Sequence, residues 1–179
     1  MDARKVRALL SSNTLLFDGA MGTYAKTLSQ WPEGPVELAC ISAARRVRAV
    51  HRAYMDAGCR AIKTNTFAAH IGFAVESVEQ QEEVIRAAVC AAREEAGANA
   101  AVFADIGPAP ADGHAAQAYI QMADVFLSLG ISCFLFETMP SADGITEAAF
   151  YIRQQNPEAF LAVSFAANPD GFTRAGENA

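Results

Sequence analysis

Five short apolar runs recur along this chain, each stopping abruptly at its carboxyl end, and a segment of helical spacing follows each of the first four. The runs cover residues 15–18, 61–66, 101–106, 132–137 and 160–165. An apolar run of this length that ends suddenly reads as a parallel strand buried on both faces. The intervening segments read as helices over about 42–57, 76–96, 115–129 and 142–154. The first has Ser42 as N-cap and Gly58 just past its end, with Ala44, Val47, His51 and Tyr54 on one face. The stripes of the next two are Val78, Ile85, Val89 and Ala92, then Tyr119, Met122, Phe126 and Leu129. The last is capped by Ser141 and turns Ile145, Ala149 and Ile152 inward. A polar loop over 168–178 ends the chain. Such alternation demands an α/β protein with a parallel sheet and right-handed crossovers. A doubly wound sheet and part of a (β/α)8 barrel both satisfy it.

The strand ends decide between the two. The first run leads into Asp18-Gly19-Ala20-Met21-Gly22-Thr23, an acid followed by a turn in which glycine permits close backbone approach. The next three runs deliver Asn65, Asp105 and Glu137. In a barrel these carboxyl ends converge on one mouth, where active sites lie. A doubly wound sheet binds its ligand at a single switch point and has no use for four polar strand ends in a row. No G-x-G-x-x-G is present. The expected fold is therefore α/β, of the (β/α)8 TIM-barrel type but incomplete, with about five β/α units. A strand-end Asp or Asn also caps turns, so Asp105 and Asn65 admit that simpler role. Glu137 resists it, being a poor turn residue after a wholly apolar run. Asp18 and Glu137 together offer two acceptors for an ammonium group. His51 is expected on a helix face away from the mouth, in a structural role. His70 and His114 fall in loops and read as solvated side chains.

The net charge of −6, with no basic cluster among aromatics, argues against nucleic acid and anionic membrane as partners. No apolar segment approaches the ~20 residues a bilayer span needs. Residues 1–13 hold only a two-leucine apolar run, too short for a signal peptide, so a soluble cytoplasmic protein is expected. Cys40, Cys59, Cys90 and Cys133 show neither CxxC spacing nor a nearby histidine, and read as reduced, mostly buried thiols.

Several stretches together resemble the homocysteine S-methyltransferase domain. They are Phe-Asp-Gly-Ala-Met-Gly-Thr at 17–23, Val-Glu-Leu at 36–38 and Val-His-Arg-Ala-Tyr-Met-Asp-Ala-Gly at 50–58. Thr-Asn-Thr-Phe at 64–67, Asp-Ile-Gly-Pro at 105–108 and Phe-Glu-Thr-Met at 136–139 complete the set. That domain opens cobalamin-dependent methionine synthase and occurs in betaine- and S-methylmethionine-dependent relatives. The matches keep the family's order and cover nearly the whole chain. The resemblance implies a barrel in which zinc binds the homocysteine thiol and lowers its pKa, so that the thiolate accepts a methyl group and becomes methionine. It implies that Asp18 and Glu137 hold the substrate's amino group. The backbone N–H groups of Gly19, Ala20 and Met21 would suit its carboxylate, with Asn65 nearby. The match over 50–67 points to methylcobalamin or methyltetrahydrofolate as donor.

The family's zinc cysteines, one ending strand six and an adjacent pair ending strand eight, have no counterpart here. Cys59 and Cys133 lie at the amino ends of strands, so no metal ligand or catalytic residue is assigned within the chain. The expected domain is a barrel over 1–179 truncated after strand five, with its zinc half missing. Its edge strands would be open and its interior uncovered, favouring self-association. Two further readings stand beside this one. The first is a non-catalytic half-barrel that assembles with itself or a partner chain. The second is an unrelated barrel enzyme with Lys63 as a Schiff-base amine.

Overall fold

The structure, a computed structural model, describes residues 1–173 and 175–177. Its sheet holds β1 (Ala61–Lys63), β2 (Ala101–Ile106), β3 (Cys133–Met139) and β4 (Phe160–Phe165), all parallel and in the order β1-β2-β3-β4. Strands that neighbour one another in sequence order are the arrangement of a barrel wall. A doubly wound sheet would reverse direction at a switch point.

The expected first strand survives as a single parallel bridge, Phe17 to Ala61, with the Asp18 N–H donating to the Ala61 carbonyl at 2.9 Å. It is cut short because the next rung comes from a side chain: Asp18 Oδ2 accepts the Lys63 N–H at 3.1 Å. β1 ends three residues before the expected 66 for a similar reason. Thr64 Oγ1 accepts the Asp105 N–H at 3.0 Å, and Thr66 Oγ1 donates to the Asp105 carbonyl at 2.7 Å. Hydroxyls thus replace the ladder where the chain turns into the mouth.

The outer face of the sheet is covered by α4 (Ala44–Asp56), α5 (Val78–Ala96), α6 (Ala115–Ser128) and α7 (Ile145–Gln155). Ala104, Ile106, Phe134 and Phe136 pack there against Ile85, Met122, Phe126 and Ile152. α4 buries Val47, Val50 and His51, while Ala44 is exposed. Ser77 caps α5 by accepting the Gln80 N–H, so the helix starts later than expected and Val78 is left 45% exposed. Ser42 ends the short α3 (Ala39–Ser42), and the caps expected of Ser42 and Ser141 fall to Ala43 and Gly144. A five-residue α2 (Met21–Ala25) and a 3-10 turn over Val36–Leu38 lie at the mouth. Within the expected polar loop, Asn168 donates its N–H to the Phe172 carbonyl, and Arg174 and Asn178 lie outside the described residues.

An additional helix, α1 (Ala3–Leu10), is capped by Asp2, which accepts the Lys5 N–H at 2.9 Å. It crosses the amino ends of the strands. The Met1 ammonium donates to the Ala100 carbonyl at 2.7 Å and the Ala3 N–H to Ser132 Oγ at 3.2 Å. The Arg7 guanidinium donates to the carbonyls of Glu158 and Ala159 at 2.9 and 2.7 Å. Val6, wholly buried, joins Phe103 and Leu135 on the inner face of the sheet. The expected bare interior is therefore filled at its lower end. Apolar side chains remain exposed on β4, where Val163 is 41% and Phe165 43% exposed.

Candidate functional site

At the carboxyl ends of the strands a cavity of about 370 Å³ opens, lined by Asp18, Lys63, Asn65, Asp105 and Glu137 together with the turn Gly19, Ala20 and Met21. Lys63 draws the acids together. Its backbone N–H binds Asp18 Oδ2 at 3.1 Å and its Nζ reaches Glu137 Oε1 at 2.6 Å. The two strand-end carboxyls expected to share one rim do share it, bridged by a single residue. The ladder between β3 and β4 is irregular between Phe136 and Met139, and Thr138 there sits at φ 60° with its N–H on Ser164 Oγ at 2.9 Å. Positive φ is strained for a β-branched residue, and such strain gathers at functional rims.

The cavity is acidic, and two of its acids, Asp18 and Asp105, are buried. Burial pushes the Asp18 carboxyl up to about 7, and the Lys63 ammonium opposes that only in part. Asp105 is raised well above the carboxylate range, by burial first and then by the Glu137 charge. Neither Asp18 Oδ1 nor Asp105 Oδ1 has a hydrogen-bond partner among the described residues. Burial works to lower Lys63, but the Glu137 hydrogen bond and the charges of Asp105, Glu137 and Asp18 outweigh it and hold the amine above its ordinary value. Lys63 therefore stays an ammonium, the form that cannot add to a carbonyl, and the Schiff-base reading loses its nucleophile.

Asn65 reaches the cavity wall, yet its amide nitrogen donates to the Val36 carbonyl at 2.7 Å and to Cys40 Sγ at 3.3 Å. Its donors fasten the 36–40 segment over the mouth. Glu37, on the 3-10 turn, is buried and accepts the Ala68 N–H at 3.0 Å. A Cβ on Gly19 would come within 2.6 Å of the Tyr54 hydroxyl, so a larger residue there would displace the Tyr54 ring.

His51 is not turned away from the mouth. It lies directly behind Asp18, its Nδ1 3.9 Å from Asp18 Oδ2, with no exposed surface. Burial lowers it to about 4, so it is neutral. His70 is buried too, its Nε2 2.8 Å from the Gly107 carbonyl, whereas His114 is exposed as expected. Asp105 is the strand-end acid expected at the mouth, while Lys63 and Glu37 are cavity groups given no part in holding the substrate by sequence reasoning. The period of two from Ala61 would have turned Lys63 inward, and nothing local marked Glu37 as buried.

Zinc does not fit the residues present. It takes converging thiolates or imidazoles in a tetrahedron. Cys40, Cys59 and Cys133 are buried apart from one another and Cys90 is exposed. Burial pushes the thiols of Cys40 and Cys133 up to about 12 and about 11. Among the described residues no three His, Cys, Asp or Glu side chains are grouped to hold a metal.

A family model described as homocysteine S-methyltransferase matches residues 15–179. The chain belongs to the homocysteine S-methyltransferase family. Three solved structures of the homocysteine methyltransferase MmuM from Escherichia coli resemble it, in apo, oxidized and metallated forms. Their identities to this chain are 24%, 22% and 23%, with TM-scores of 0.75, 0.79 and 0.72. Each alignment covers 97% of this chain and 67%, 69% and 70% of the respective MmuM chain. At such identities the likeness shows the fold, a partial TIM barrel. No curated protein matches the chain. Among the described residues no helix is long and apolar enough to cross a membrane.

Proposed function

We propose that this chain binds homocysteine for S-methylation to methionine. The observation that carries the reading is the single cavity in which Lys63 joins Asp18 and Glu137. The substrate ammonium sits between these two carboxylates, and Asp18 sheds its proton as the ammonium enters. The substrate carboxylate lies toward Gly19, Ala20 and Met21, since the first N–H groups of α2 have no acceptor within the helix. Asn65 holds the wall. This chain's cysteines do not fit zinc, and no side chains among the described residues are grouped to hold it. The methyl comes from methylcobalamin or methyltetrahydrofolate, and the protein works in the cytoplasm with neither nucleic acid nor membrane as partner.

Calorimetric titration of homocysteine into the chain tests the reading. Saturable binding is expected, weakened about tenfold or more in Asp18→Asn and in Glu137→Gln, as loss of a charge-assisted hydrogen bond requires. Binding that is indifferent to both substitutions in folded protein would overturn it.

A further inference from the structure

The carboxylate best placed to take a substrate ammonium already holds one. Lys63 Nζ is 2.6 Å from Glu137 Oε1, inside the cavity, with the Lys63 side chain 15% and the Glu137 side chain 25% exposed. We propose that Lys63 is a specificity-determining residue, a tethered cation that yields Glu137 to an incoming ammonium only when the ligand also brings a carboxylate for Lys63 to accept. The inference rests on the ammonium site proposed above and adds the class of ligand that site admits: a zwitterionic α-amino acid, not a bare amine.

The physical reason is charge pairing in a largely buried cavity. A bare amine that displaces Lys63 from Glu137 leaves the lysine charge without a partner, and an uncompensated charge away from water is costly. Asp18 and Asp105 are poor refuges for it. Asp18 Oδ2 is engaged by the Lys63 backbone N–H and the incoming ammonium takes that acid as its second carboxylate, while burial disfavours the ionised form of Asp105. A zwitterion instead exchanges partners. Its ammonium takes Glu137 and its carboxylate takes Lys63, so two ion pairs replace one and no charge is stranded. The reach is sufficient, because the ammonium nitrogen and carboxylate carbon of an α-amino acid are only about 2.5 Å apart. One carboxylate oxygen can meet Lys63 while the other faces the Gly19–Met21 turn.

The test compares homocysteine with 3-aminopropane-1-thiol, the same molecule without its carboxylate, in reducing buffer by calorimetry. Wild type is expected to prefer homocysteine by about tenfold or more. Lys63→Met should lose most of that preference, because the aminothiol no longer strands a lysine charge while homocysteine loses a partner for its carboxylate, and Lys63→Arg should retain it. Equal affinity of wild type for both ligands overturns the proposal without any variant, so misfolding of Lys63→Met cannot shelter it. Tighter homocysteine binding by folded Lys63→Met, or an unchanged preference, overturns it as well. Failure of the underlying ammonium site looks different: wild type would then bind neither ligand, or Glu137→Gln would bind homocysteine as well as wild type.

Discussion

Asp18 is the residue on which the site's pH dependence turns. Its carboxyl titrates near 3.8 when unfolded and is pushed up to about 7 by burial in the fold. Between those values the folded chain holds the extra proton, so this group's contribution to stability falls as pH rises from about 4 to about 7. His51 works in the opposite sense. Its value drops from 6.5 to about 4, the unfolded chain holds the extra proton, and stability rises with pH across that window. The two buried neighbours therefore largely offset one another below pH 6.5. Asp18→Asn keeps an acceptor for the Lys63 N–H but removes the ionisation. In urea unfolding it should be more stable than wild type at pH 8 by about 1–3 kcal/mol, the gap vanishing near pH 4. Homocysteine binding by wild type should strengthen as pH rises through about 7, because the ammonium needs ionised Asp18. A flat binding profile between pH 6 and 8 would contradict this.

At the scale of elements, α1 closes the amino end of the half-barrel and the turns after β1 and β2 pack together at the carboxyl end. α1 does so with one fully buried contact, Val6. Val6→Ala is expected to cost about 1–2 kcal/mol, and Val6→Asp to abolish the cooperative melt by burying an unpaired charge. The same changes at Val163, on the open face of β4, should move the melting temperature little. At the other end, Gly107 N–H donates to the Phe67 carbonyl at 3.0 Å, and a Cβ on Gly107 would run into that oxygen. Gly107→Ala should therefore lower the melting temperature and loosen Phe67, which lines the cavity. α1 was invisible to pattern reading because so short an apolar stripe, among basic residues, has meaning only once the sheet supplies a surface for it.

The whole molecule presents an unfinished wall. Among the described residues β4 pairs only with β3, and its last residues, Val163 to Phe165, are exposed on both faces. An exposed, apolar, parallel edge recruits another strand. Concentration-dependent association is expected in size-exclusion chromatography with light scattering. The pair Val163→Lys and Phe165→Lys should shift it to monomer without lowering the melting temperature. A wild type that stays monomeric at high concentration would show that α1 and the 166–173 segment shield the edge well enough.

Alternation of apolar runs with helical stripes, and the polar residue closing each run, were enough for the barrel type and for Asp18, Asn65 and Glu137 at its mouth. Those features are local: strand period, run length and the stop that follows can be read within a few residues. Lys63 on Glu137, separated by 74 positions, His51 behind Asp18 and α1 beneath the strands were decided only by the folded chain. A side chain's charge state and partner depend on what comes within a few ångströms and on how much water is left there. Both are set by how the strands and helices pack, not by the order of residues along any one of them.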